Sequence, residues 1–193
     1  MATAFTQAQR ESIREKLIQA ARQRLTGPGL KGCTVDELTR EAGISKGAFY
    51  HFYESKEHLF LHTLENIQNE IYGNAERVLL DGDTPLRERT MRALYEVCKA
   101  ADRYHLVEFV RQELTALLSS VPEELLHRHY ISDHERIRRL ILKADVALKV
   151  GLDEAASVIW LLVMSLVFKP DVGTGFPAAL RILVEGVCDR VLA

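Results

Sequence analysis

Residues 34–60, reading TVDELTREAGISKGAFYHFYESKEHLF, crowd three helix starts and a glycine turn into 27 positions, a density that points to a helix-turn-helix. Thr34 followed by Glu37 is a capping box: the threonine oxygen accepts the orphan N–H three residues on, and the glutamate reaches back to the cap's own amide. A helix is therefore predicted from Val35. Val35, Leu38 and Ala42 keep the spacing of one buried face, and Gly43 supplies the left-handed conformation that ends the helix. Gly43-Ile44-Ser45 is the turn. Ser45 caps a second helix predicted from Lys46 to Tyr53, with Phe49 and Tyr53 on one face and Lys46, Gly47, Tyr50 and His51 on the others. Ser55 caps the third.

That outward set points to DNA. The major groove admits an α-helix, and helix-turn-helix proteins touch base edges with the N-terminal residues of their second helix. Gly47 and Ala48 have almost no side chain, so the backbone is free to approach the groove floor. Tyr50 and His51 carry polar tips on flat rings, suited to phosphate contacts or to packing on a thymine methyl. Lys56 falls in the first turn of its helix, where the dipole disfavours a cation; a bound phosphate would resolve the conflict. The candidate DNA-binding residues are Thr34, Ser45, Lys46, Gly47, Ala48, Tyr50, His51 and Lys56.

Ala42-Gly43-Ile44-Ser45, Gly47-Ala48-Phe49-Tyr50, His51-Phe52-Tyr53 and Ser55-Lys56-Glu57-His58-Leu59 together resemble the DNA-binding domain of the TetR family of one-component transcriptional regulators. Two positions depart from the family's usual pattern. Ala48 stands where threonine is frequent, removing a hydroxyl that would touch a base or phosphate, and Tyr53 replaces a core phenylalanine, so it asks for a hydrogen-bond partner. The resemblance implies an all-α chain: a three-helix helix-turn-helix domain over residues 1–60, with its motif at about 34–53, and a helical effector-binding and dimerisation domain over 61–193. It also implies a repressor that leaves a palindromic operator when a small apolar or amphipathic effector binds.

Composition bounds the rest. Hydrophobic residues make up 47% of the 193, enough for a globular core, and five prolines with no strictly alternating β-branched runs favour helices throughout. Residues 1–60 hold nine Lys/Arg against seven Asp/Glu, and the remainder sixteen against twenty. That asymmetry is compatible with DNA but too small to identify a nucleic-acid binder, so the DNA reading stands on the motif. Cys33, Cys98 and Cys188 are an odd, scattered set, which fits reduced structural thiols. The uncharged run Ala155–Phe168 is shorter than the roughly 20 residues of a membrane span, and the N-terminus has no apolar signal core. The expectation is a cytoplasmic protein without membrane contact or cofactor.

In chain order, Thr6 caps a first helix to about Leu25, with Ile13, Leu17, Ala20, Ala21 and Leu25 as its apolar stripe, and Thr26-Gly27-Pro28-Gly29 stops it. The helix begun at Ser55 runs to about Leu80. Thr84 as cap and Pro85 at the first helical position restart the chain, and helices are predicted near 85–100, 103–119 and 122–145. Their apolar residues either fill a core or line an effector pocket, for which Tyr95, Cys98, Phe109, Leu117 and Tyr130 are the candidates. His58, His62 and Glu65, and His127, His129, His134 and Glu135, have partial metal-ligand spacing, but neither set offers a convincing shell; surface polarity is the preferred reading.

Twelve of the fourteen residues of Ala155–Phe168 are apolar, so that helix must be covered all round. With the last helix, from Pro177 to about Leu192, it is expected to pair with its copy across a two-fold axis, through Ile159, Trp160, Val163, Leu180, Leu183, Val184 and Val187. Two other classes stay open: a helical DNA-binding adaptor without an effector, and a small helical enzyme. The latter lacks any converging acid, base, nucleophile or phosphate loop.

Overall fold

The computed structural model describes residues 5–25 and 29–193; within them the side chains of Leu114, Thr115, Leu118 and residues 125–133 are not described. Among the described residues the chain is all-α, and an isolated antiparallel bridge between Leu148 and Leu192 is its sole extended pairing. The helices are α1 (Gln7–Leu25), α2 (Val35–Ala42), α3 (Lys46–Phe49), α4 (Lys56–Leu79), α5 (Leu86–Arg103), α6 (Leu106–Gln112), α7 (Leu114–Ser119), α8 (Glu123–Lys143), α9 (Leu152–Met164), α10 (Lys169–Val172) and α11 (Phe176–Val191), with 3₁₀ turns at Ser165–Phe168 and Gly173–Gly175. Two compact units result. The first is Met1–Ile67 with Phe109–Val121, and the second Gln68–Glu108 with Pro122–Ala193. A single division after residue 60 therefore does not describe the structure: α4 is shared, and a segment from far along the chain joins the first unit.

In the first unit α1 buries the predicted stripe of Ile13, Leu17, Ala20, Ala21 and Leu25. Leu38, Phe49, Leu59 and Phe60 have no exposed surface, and burial of each such side chain contributes about 1.5–3 kcal/mol. Phe109 and Leu117 are buried as well. They belong to the first unit and do not line the cavity described below. The predicted helix over 103–119 is broken at Glu113, whose φ of −127° and ψ of −21° part α6 from α7. Of the predicted stop at residues 26–29, only Gly29 lies within the described residues.

In the second unit a core of Leu94, Cys98, Val107, Leu162, Phe176 and Val184, among others, joins α5, α9 and α11, and a second cluster joins Ile137 and Ile141 of α8 to Ala155 and Ala156 of α9. Beside them lies an apolar cavity of about 60 Å³ whose walls include Tyr72, Val97, Ile141, Ile159, Val163 and Val187. This differs from the expected pocket. Cys98 is core, Tyr95 lines an open cleft on α4 and α5 with Arg77 and Arg103, and the side chain of Tyr130 lies outside those described. Nor does Thr84 cap a helix: its hydroxyl donates to Asp81 Oδ2 at 2.9 Å, and Pro85 is the residue before α5. The left-handed residues beyond α5 and α8 are His105 (φ 52°) and Asp145 (φ 49°), not glycines.

The side chains expected at a dimer face are divided between core and surface. Leu180 and Val184 are core residues, Ile159, Val163 and Val187 pack against the core, and Trp160 stacks on the His134 ring at 5.9 Å. Leu183 alone of that set is exposed, at 47%. Solvent instead meets Leu161, Met164, Phe168, Val172 and Ile182. By length and composition the stretch Leu152–Val191 would cross a bilayer, but 3₁₀ turns and Gly173 at φ 64° divide it. Its longest α-helical piece, the 16 residues of α11, rises about 24 Å against about 30 Å of hydrocarbon.

Candidate nucleic-acid interface

The motif folds through local bonds. Glu37 N–H donates to Thr34 Oγ1 at 3.3 Å while Thr34 N–H and O–H donate to Glu37 Oε2 at 2.8 and 2.9 Å, so the capping box is complete and α2 starts at Val35. Those same bonds to Thr34 hold the Glu37 carboxyl below its usual range. They also occupy the Thr34 hydroxyl, which is a cap before it is a DNA ligand. Gly43 ends α2 at φ 72°, in the left-handed region that favours glycine. Ile44 N–H donates back to Thr39 O at 3.0 Å, and Ser45 Oγ accepts from Ala48 N–H at 3.2 Å to begin α3.

The second helix is shorter than expected. Beyond Phe49 the bonds tighten to the three-residue kind, His51 N–H to Ala48 O at 3.1 Å and Phe52 N–H to Phe49 O at 2.8 Å, so residues 50–52 form a turn. Phe49 is buried beneath it. Ser45, Lys46, Gly47, Tyr50 and His51 are exposed and Ala48 is half-buried, so the structure brings these six predicted residues onto one short outward segment. Tyr50 is 53% exposed, its ring edge-on to Phe49 at 5.4 Å. Lys46 Nζ reaches Asp36 Oδ2 at 3.0 Å, and that bond raises its pKa.

Gly47 carries a particular signature. A methyl added there would meet nothing nearer than Ser45 Oγ at 4.0 Å, and its backbone is not in the positive-φ region. The protein itself gives no steric reason for glycine.

Lys56 does not stand as the phosphate reading requires. Its Nζ donates to the carbonyls of Leu30 and Cys33, both at 2.8 Å, tying the start of α4 to the loop before α2. These carbonyls compensate the unfavourable dipole position in place of an external anion. Tyr53 finds its partner in His62, whose Nδ1 lies 2.8 Å from the phenolic oxygen. Arg10 and Arg14 sit over the Phe52 ring at 6.0 and 5.9 Å, and Arg24 pairs with Glu41. Burial pushes the thiols of Cys33, Cys98 and Cys188 up, that of Cys98 to about 11. No group of three or more His, Cys, Asp or Glu suited to a metal occurs among the described residues.

Glu113 is the residue that sequence reasoning missed. It is buried at 8% exposure, and its Oε2 accepts from the amides of Leu30 and Lys31 at 2.7 and 3.2 Å. No local pattern announces a contact across 83 positions.

A capped helix, a left-handed glycine turn and a short exposed second helix on a three-helix core define a helix-turn-helix DNA-binding protein. Residues 17–63 match the family model described as bacterial regulatory proteins, tetR family. The chain is 29% identical over 120 residues to the HTH-type transcriptional repressor KstR2 of Mycolicibacterium smegmatis, covering 61% of this chain and 57% of that one. It is 32% identical over 95 residues to the HTH-type transcriptional regulator BetI of Rhizobium meliloti, covering 49% and 46%. The matches thus span about half the length of these curated relatives. Among solved structures, a TetR-family regulator from Pectobacterium atrosepticum shares the fold at a TM-score of 0.67 and 22% identity, covering 95% of this chain and 94% of that one. FadR from Bacillus subtilis, solved in complex with stearoyl-CoA, does so at 0.61 and 14%, covering 90% and 97%. Residues 17–63 thus match the DNA-binding domain of tetR-family regulators, and solved structures of that family share the fold of the chain.

Proposed function

We propose that this regulator is a cytoplasmic homodimeric repressor that binds a palindromic operator and leaves it when a small apolar or amphipathic molecule binds. The observation that carries the DNA half is the outward segment Ser45–His51, in which Gly47 has no steric reason inside the protein. An approaching duplex supplies that reason. Lys46, Ala48, Tyr50 and His51 then meet base edges and phosphates, while Thr34 and Lys56 hold the frame from behind. No catalytic step enters this reading.

The exposed stripe of Leu161, Met164, Phe168, Ile182 and Leu183 supports a second copy on that face. A stable interface buries about 800 Å² per partner, and an apolar stripe of this kind suits an obligate one. Two-fold symmetry then sets the two reader helices against half-sites about 34–36 Å apart, or a multiple of it. The wholly apolar cavity supports an effector with a hydrocarbon chain. At about 60 Å³ it is well below the roughly 300–1,000 Å³ of a ligand site, so binding has to part the helices around it. Binding of that kind favours a second arrangement, and couplings of this type amount to about 1–3 kcal/mol. The stearoyl-CoA bound by the similarly folded FadR is a fitting first probe.

The test is selection of duplex DNA from a random pool, followed by gel shifts with stearoyl-CoA and with the small molecules that co-purify. A selected palindrome should bind about 10³-fold or more tighter than random duplex. Equal affinity for both would leave an adaptor that binds DNA without sequence preference. Operator affinity unmoved by every saturating ligand would remove the effector half.

A further inference from the structure

The loop that enters the helix-turn-helix is held from two sides. Leu30 and Cys33 are buried, at 4% and 1% exposure, and lead directly to the Thr34 cap. Glu113 Oε2 accepts from the amides of Leu30 and Lys31 at 2.7 and 3.2 Å; Lys56 Nζ donates to the carbonyls of Leu30 and Cys33 at 2.8 Å. Both polar backbone atoms of Leu30 are thereby bound by side chains distant in sequence. Gly29 completes the fit. Its φ is 70°, and a Cβ there would stand 2.0 Å from Glu113 Oε1 and 2.7 Å from Cδ.

A buried acid is costly unless hydrogen-bonded, and this one is bonded to two loop amides that an apolar side chain would leave without an acceptor. Its position in the chain suggests what it adds. Residues 109–121 lie in the first unit, yet the chain arrives from Glu108 and departs to Pro122, both in the second. Glu113 sits at the break between α6 and α7, at the middle of this excursion. A rearrangement of the second unit that shifts either end pulls on a side chain that grips the loop before α2.

We propose that Glu113 is a positioning residue: its bonds to Leu30 and Lys31 set the placement of α2 and α3, and transmit to them the state of the second unit. This deepens the regulator reading and rests on it. Coupling is reciprocal, so it is readable from the DNA side without knowing the effector.

The experiment uses full-length protein and the duplex selected from the random pool; binding of that duplex by the unaltered protein is measured first and tests the regulator reading by itself. Amide hydrogen exchange is then followed with and without the duplex. In the unaltered protein the duplex should slow exchange in α5 and α8. In Glu113→Leu, which leaves the amides of Leu30 and Lys31 without their acceptor, exchange at residues 29–34 should quicken and operator affinity fall on the order of tenfold, and the slowing in α5 and α8 should vanish. Glu113→Asp, which keeps the acid one methylene shorter, should lie between, and serves if the leucine variant does not fold. Two results would overturn the proposal: no slowing in α5 and α8 of the unaltered protein, or a folded variant with a loosened loop that retains both operator affinity and that slowing.

Discussion

The phenolic oxygen of Tyr53 stands 2.8 Å from Nδ1 of His62, linking the segment after α3 to α4. Burial pushes Tyr53 up to about 12 and is the main cause holding His62 below its ordinary value, with His58 and Arg14 adding to the effect and Glu65 opposing it. The phenol therefore keeps its proton and the ring stays neutral, and the two share one hydrogen bond whose direction follows the imidazole tautomer. Tyr53→Phe should lower stability by about 1 kcal/mol, read from denaturant midpoints at constant slope.

The same pair predicts a pH dependence. His62 in the unfolded chain titrates near 6.5 and in the folded protein lower, so the unfolded state takes up the proton first as pH falls. Stability should be undiminished by this group above pH 6.5 and decline below it. Melting temperatures from pH 7.5 to 5.5 should fall in the unaltered protein and fall less in His62→Gln; equal slopes would assign the dependence to another group.

Gly47→Ala separates folding from reading. The site is open and helical, so alanine should leave stability unchanged or raise it by up to about 1 kcal/mol. Operator affinity should fall by about 1–3 kcal/mol, on the scale of one lost base contact. Full affinity in gel shifts would show that the groove floor does not approach residue 47.

Lys56→Met removes two bonds to loop carbonyls. The expected result is a loss of about 1–3 kcal/mol of stability, with an unchanged slope of log affinity against log salt. A slope smaller by about one would put the ammonium on a phosphate instead.

Ile182, at 67%, is the most exposed of the large apolar side chains open to solvent. Ile182→Glu should yield a folded protein that sediments as a monomer at micromolar concentration and loses operator affinity, since one half-site is bound without its twin. Val184→Ala, by contrast, acts in the core, where Val184 has no exposed surface, and should cost stability with the dimer retained.

Much of the first unit was legible because its signals are local. The Thr34–Glu37 box, the Gly43 turn, the Ser45 cap and the α1 stripe each depend on partners a few residues apart, and Tyr53 declared its need for a hydrogen bond before His62 was known to meet it. The ends of α5 and α8 were harder to read: His105 and Asp145 adopt the left-handed conformation without the glycine that usually marks it.

Sequence alone determined the helix-turn-helix and the identity of its outward residues, since capping and periodicity act within a single turn or two. Tertiary structure decided the rest. A helix apolar on every side, like α9, carries no phase, so the division of its residues between core and open stripe was settled only by what packed against it. Lys56 was drawn to loop carbonyls and Glu113 to loop amides for the same reason: a buried backbone group takes whichever partner the fold brings within reach, and a separation of 26 or 83 positions leaves no trace of that meeting in the sequence.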